Sequence, residues 1–145
     1  MNTKIKKSIT VGITATIIMS LVMMITAMFG MPKMSPPKMV SNIVGAPLAV
    51  GWVMHFVIGV VFAALYMFLF QPKIKIGNRI LRGVVYGIVI FILAQIGFGV
   101  LDAIFGGGET PGPEGSMLPM VIGGIMGHII FAITVVLMVK DPNPS

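Results

Sequence analysis

Four long apolar stretches alternate with short polar segments along the chain, at residues 9–31, 46–70, 80–101 and 117–139. Each has 22 to 25 residues, and about 20 apolar residues are enough to cross the hydrocarbon core of a bilayer. The stretches lack the apolar/polar alternation of barrel strands, so we predict helices. The pattern predicts an all-α polytopic membrane protein, with four transmembrane helices in an up-down-up-down bundle and a single domain over residues 1–145.

The composition supports lipid as the solvent. Hydrophobic residues make up 57% of the chain and charged residues 10%, whereas soluble domains carry about 25% charged residues. The absence of cysteine excludes disulfides and thiolate metal sites. The net charge of +6 does not indicate nucleic-acid binding, because the basic residues lie at the ends of apolar stretches. We therefore expect the lipid bilayer as partner, with a homo-oligomer or larger membrane complex as further options and no nucleic acid.

The basic residues indicate an orientation. They concentrate in the N-terminal segment, in the turn at residues 71–82 and at Lys140, which share one side if the spans alternate. The positive-inside rule makes that side cytoplasmic. The first stretch exceeds the 7–15 apolar residues of a signal peptide. We expect a multi-pass protein of the bacterial inner membrane with both termini in the cytoplasm.

The two segments on the opposite side are rich in proline and glycine. Residues 32–45 and 102–116 have this composition, and we expect no regular structure in either. The second also carries Asp102, Glu109 and Glu114. Since a preorganised site needs rigid support, we interpret these acids as a solvated loop rather than as a metal or catalytic cluster.

The second and fourth stretches are alike when aligned on their histidines. His55 and His128 each have a glycine four residues earlier and a small residue four residues later. These flanking residues are Gly51, Gly59, Gly124 and Ala132. The similarity predicts a duplicated helical hairpin whose copies run in parallel. Small residues also recur at spacing four, as in Gly12-Thr16 and Gly83-Gly87, and are typical of close helix packing.

Candidate chemistry centres on the two histidines. At 1.5 Å per residue each lies roughly 14–17 Å from the outer end of its span, near the middle of the bilayer. Ionisable residues at that depth face the bundle interior and are functional candidates. The simplest interpretation is that each forms an interhelical hydrogen bond. No catalytic triad, His-Glu-x-x-His motif or phosphate loop is present, so catalysis is not indicated.

Three further interpretations remain open. The pair could hold a b-type haem, with Gly51, Gly59, Gly124 and Ala132 leaving room for the ring and only Lys33 and Lys38 near its propionates. A copper site is suggested by the Met-x-x-Met-x-x-Met spacing, since thioethers suit Cu(I). The methionines of this motif are Met28, Met31 and Met34. Finally, the histidines could form a transport pathway with Gln95 and Tyr66, although no intramembrane carboxylate accompanies them.

The basic start, the Gly-Trp-Val-Met-His-Phe-Val-Ile-Gly segment at 51–59 and the Gly-His-Ile-Ile-Phe-Ala segment at 127–132 resemble families of small four-helix bacterial inner-membrane proteins of unknown function. The resemblance covers nearly the whole chain. It implies the fold and the location, and it brings no activity, substrate or cofactor.

Overall fold

The computed structural model describes residues 2–31, 33–106 and 117–140, and their regular structure is entirely helical. The five helices are α1 (Asn2–Met28), α2 (Pro36–Val44), α3 (Leu48–Lys73), α4 (Arg79–Phe105) and α5 (Met117–Met138). Helices α1, α3, α4 and α5 are each long and apolar enough to cross a membrane. The predicted four-span, all-α architecture is confirmed.

The spanning helices extend beyond the apolar stretches where their polar groups are satisfied locally. Helix α1 starts seven residues before the predicted span, and the hydroxyls of Ser8 and Thr10 donate to carbonyls one turn earlier. At the start of α4 the Asn78 side chain caps the backbone N–H of Leu81. Gly106, with a positive φ of 72°, ends the same helix in the left-handed conformation.

Helix α2 corrects the expectation that residues 32–45 lack regular structure. Its two prolines occupy the first helical turn, where a missing N–H costs nothing. Gly45 then adopts a φ of 65° and closes the helix. Between these signals Val40 and Ile43 are buried, which ties α2 to the bundle. Proline and glycine here delimit a helix instead of preventing one.

Close glycine contacts organise the bundle as two similar hairpins. A Cβ placed on Gly12 of α1 would lie 2.5 Å from the Cα of Val60 in α3, and one placed on Gly83 of α4 would lie 2.8 Å from the Cα of Ile133 in α5. Val60 and Ile133 each follow a histidine by five residues. The two hairpins thus pack in the same register relative to their histidines, as a duplicated hairpin would. The small-residue stripes are confirmed as packing faces at these positions.

The two hairpins join along α1 and α5, giving the spatial order α3–α1–α5–α4. Helices α3 and α4 approach each other mainly at one end of the bundle. There the Tyr86 hydroxyl donates to the carbonyl of Phe62, and the rings of Tyr66 and Phe70 pack on Tyr86 at centroid distances of 5.1 and 4.7 Å. Because Tyr66 and Tyr86 are almost fully buried, this aromatic cluster closes the bundle at that end.

The closed end is also where the basic residues gather, and we call it the basic end. Arg79 donates to the carbonyls of Val136 and Val139 at the end of α5. The Lys4 ammonium lies 5.7 Å from the centre of the Phe68 ring. The beginning of α1, the end of α3, the beginning of α4 and the end of α5 therefore meet at one end. Helix α2 lies at the other, which we call the α2 end.

Candidate functional site

A cavity of about 670 Å³ lies inside the bundle between mid-depth and the α2 end. Its wall is overwhelmingly apolar, and its size falls within the roughly 300–1,000 Å³ typical of ligand and cofactor sites. Helix α2 contributes Pro36, Met39 and Val40, which cover the cavity at the α2 end. All four spanning helices also contribute to the wall. The cavity is thus a product of the whole bundle.

The cavity opens sideways between α3 and α4. Its wall includes Val57 and Val61 of α3 and Leu93 and Val100 of α4, which are between 42% and 56% exposed. Gly97 also lines it, and a Cβ added there would meet no atom within 4 Å. The opening exists because α3 and α4 meet mainly at the basic end. In a bilayer this gap would face the lipid chains.

His55 lines the cavity from α3 and is buried, with 8% of its surface exposed. Its Nε2 has no hydrogen-bond partner within the described ranges. The indole of Trp52, one turn earlier, packs against the imidazole at a centroid distance of 6.1 Å and an interplanar angle of 68°. An unsatisfied buried nitrogen is costly, which makes this atom a candidate for ligand binding.

His128 lines the same cavity from α5 and is oriented by its own helix. Its Nδ1 lies 2.8 Å from the carbonyl oxygen of Gly124, and since a carbonyl can only accept, Nδ1 is the donor. The neutral ring then carries its lone pair on Nε2. Phe91 of α4 makes an edge-to-face contact at 5.5 Å with the ring. Both imidazoles thus line the same cavity, from helices that are not neighbours.

The four small residues beside the histidines pack mainly against neighbouring helices. Gly51 faces the Pro37 carbonyl of α2, and Gly59 faces the side chain of Thr16 in α1. Ala132 is fully buried in the core, while Gly124 contacts Phe91. Gly59 and Gly124 line the cavity, whereas Gly51 and Ala132 are not part of its wall. The structure therefore does not gather the four around the space beside the imidazoles.

The two predicted pathway residues are separated. Gln95 of α4 lines the cavity and is exposed at its opening. Tyr66 is absent from the cavity wall and belongs to the aromatic cluster at the basic end. The structure places Gln95 in the same cavity wall as the histidines. It places Tyr66 outside that wall, in the aromatic cluster at the basic end.

The Met-x-x-Met-x-x-Met series is divided by the end of α1. Met28 is 81% exposed, and Gly30, at a φ of 92°, turns the chain directly after it. Met34 lies in the cavity wall, and Met31 approaches Gly123 of α5. Sequence spacing alone missed Met23, whose sulfur lies near Gly127. Its position along α1 could have identified it, because Met23 lies on the same helical face as the buried residues Thr16 and Met19.

The comparisons with known proteins place the chain in a family. A family model described as "Family of unknown function (DUF6789)" matches residues 2–108, more than half of the chain. The match includes His55 and Gln95, whereas His128 lies beyond it. No curated protein and no solved structure matches the chain. The expected relation to a family of unknown function is confirmed, and the chain belongs to the DUF6789 family.

Proposed function

We propose that this protein binds haem b within the membrane, with His55 and His128 as the axial ligands. The observation that carries the proposal is that two imidazoles from non-adjacent helices line one apolar cavity. Within the described residues the Nε2 of His55 is buried without a partner, and the Nδ1 of His128 is engaged by a backbone carbonyl, which leaves the lone pair of that ring on Nε2. Imidazole is a normal haem ligand, and helical bundles build cofactor sites from side chains on facing helices. The hydrogen bond from His128 Nδ1 to a backbone carbonyl is the orienting contact that ligating histidines commonly make.

The number of donor groups favours haem over a bare metal ion at the histidines. Protein sites for zinc and similar ions use several nitrogen, oxygen or sulfur ligands. The described residues contain no group of three or more His, Cys, Asp or Glu side chains that could hold an ion. A haem iron already has four porphyrin nitrogens and needs only axial ligands from the protein. Two histidines therefore suffice for haem.

The shape of the cavity favours binding over transport. It is open to the side and is closed at the basic end by Tyr66, Tyr86 and Phe70. A continuous route across the bundle would have to pass this cluster. The lateral opening instead gives an apolar molecule access from the bilayer. Lys33 and Lys38 are exposed on the α2 side and would be the cations available to haem propionates.

We further infer that the basic end faces the cytoplasm of a bacterial inner membrane. The support is the clustering of Lys and Arg at that end, which the positive-inside rule associates with the cytoplasmic side. Because the chain has no cysteine, single-cysteine variants can report the orientation. With intact cells, a membrane-impermeant maleimide should label Lys38→Cys and leave Lys75→Cys unlabelled until the cells are permeabilised. The reverse pattern would overturn the orientation.

Haem binding can be tested through the sole tryptophan. Trp52 packs beside His55, so haem in the cavity should quench its fluorescence. We expect saturable quenching when hemin is titrated into the detergent-purified protein. The His55→Ala/His128→Ala double variant should bind hemin at least about tenfold more weakly, whereas Phe105→Leu, an exposed ring outside the cavity wall, should bind as the wild type does.

Metal-free protoporphyrin IX separates iron ligation from uptake into an apolar cavity. It should bind the wild type no better than hemin binds the double histidine variant. Equal affinity of the wild type for hemin and for protoporphyrin would overturn the histidine ligation.

A further inference from the structure

We propose a second ligand site, a soft-metal site formed by the thioethers of Met23, Met31 and Met34 on the glycine face of α5. Its ligand class is a monovalent soft cation, Cu(I) in the cell. The proposal does not depend on haem binding: Met23 and Met34 also line the large cavity, but the donor atoms are thioether sulfurs and not the imidazoles.

The three methionines come from separate positions in the chain and meet at one face of α5. A Cβ placed on Gly123 would lie 3.1 Å from the Sδ of Met34 and 3.9 Å from the Cε of Met31. A Cβ placed on Gly127 would lie 2.8 Å from the Sδ of Met23. Gly123 and Gly127 are one turn apart, so these two positions are only about 5–6 Å from each other. The missing side chains leave space in which the thioethers gather.

A small cavity lies beside two of the three thioethers, those of Met23 and Met31, while Met34 lines the large cavity next to it. Met23, Met31, Gly123 and Gly127 all line the small cavity. All three methionines are partly buried, whereas Met24 and Met28 of α1 are 59% and 81% exposed. The three thioethers are therefore better protected than those of Met24 and Met28, and they lie toward the α2 end.

The chemistry of the donors determines the ion. Thioether sulfur is uncharged and polarisable, and soft sulfur ligands select Cu(I) over the harder divalent ions. In the described ranges no cluster of three histidine, cysteine or carboxylate side chains offers a competing site. The long, flexible methionine side chains can move their sulfurs toward one ion without displacing the helices.

The test uses Ag(I), which has the same preference for soft donors as Cu(I) and undergoes no redox change under the assay conditions. Titration of the purified protein, followed by calorimetry, should show one saturable Ag(I) site per chain. In Met23→Leu/Met31→Leu/Met34→Leu the affinity should fall at least tenfold. Leucine conserves the packing volume well, so circular dichroism should confirm that this variant is folded.

The matched control is Met24→Leu/Met28→Leu, which removes two exposed methionines of the same helix and should keep wild-type affinity. His55→Ala/His128→Ala should also keep it, and this separates the site from the proposed haem ligands. The absence of a saturable site in the wild type, or equal affinity in the triple methionine variant, would overturn the proposal. Loss of Ag(I) binding in the double histidine variant would overturn the assignment to thioethers.

Discussion

The Nδ1 of His128 donates a hydrogen bond to the carbonyl oxygen of Gly124, 2.8 Å away and one helical turn earlier. This bond fixes both the tautomer and the rotation of the ring, so the lone pair of the neutral imidazole resides on Nε2. Gly124 also has no side chain between this turn and Phe91, whose ring packs edge-on against the imidazole. The histidine is therefore positioned before any ligand binds.

Loss of the aromatic contact should weaken haem binding. Edge-to-face aromatic pairs contribute about 0.5–1.5 kcal/mol beyond the area that they bury, which corresponds to roughly a 2- to 12-fold change in affinity. We expect a loss of this size for hemin in Phe91→Leu, measured by fluorescence titration. The control Phe105→Leu changes an exposed ring outside the cavity wall and should bind as the wild type does. Equal affinity in the two variants would show that Phe91 does not position the ligand.

The lateral opening can be blocked from α4. Gly97 and Gly99 are both exposed glycines with no atom within 4 Å of an added Cβ, but only Gly97 lines the cavity. Because an added Cβ at Gly97 meets open space, a phenylalanine there could extend into the gap between α3 and α4. Gly97→Phe should slow hemin association at least tenfold in stopped-flow measurements, and Gly99→Phe should leave it unchanged. Similar rates for the two variants would contradict access through this gap.

The stability of the second hairpin should depend on Gly87. A Cβ there would lie 2.6 Å from the Cα of Ile129, a backbone atom that cannot move without separating α4 from α5. Overpacking typically costs about 1–3 kcal/mol, against a gain in helix propensity of up to about 1 kcal/mol. Gly87→Ala should therefore lower the free energy of unfolding in detergent. Gly97→Ala, which meets open space, should leave it unchanged or raise it, and the opposite order would contradict the packing described.

The sequence was most informative where the bilayer restricts the options. Backbone groups in lipid must be paired, so four long apolar stretches could only form four spans. The small-residue stripes that contain Gly12 in α1 and Gly83 in α4 likewise predicted close packing, because small side chains let a neighbouring backbone approach. Helix geometry also predicted a similar depth for the two histidines, and both line one cavity.

Features that depend on packing between distant segments could not be predicted from the local sequence pattern. Helix α2 was not predicted because its prolines were interpreted as helix breakers. Proline breaks a helix in its interior but is tolerated in the first turn, where these prolines lie. The cavity arises because α3 and α4 meet mainly at the basic end, a relation between helices rather than a local pattern. The placement of Met28 relative to Met31 could not be predicted from spacing, because α1 ends at Met28 and the chain turns at Gly30.

The absorption spectrum of the purified protein, after expression with a haem precursor supplied, tests the central claim most directly. The account predicts one haem per chain with the low-spin, six-coordinate spectrum of iron held by two imidazoles. His55→Ala and His128→Ala should each convert it to a high-spin form or lose the haem. Purified wild-type protein that is folded but takes up no haem, either in cells or from added hemin, would contradict the account, as would a spectrum that neither substitution alters.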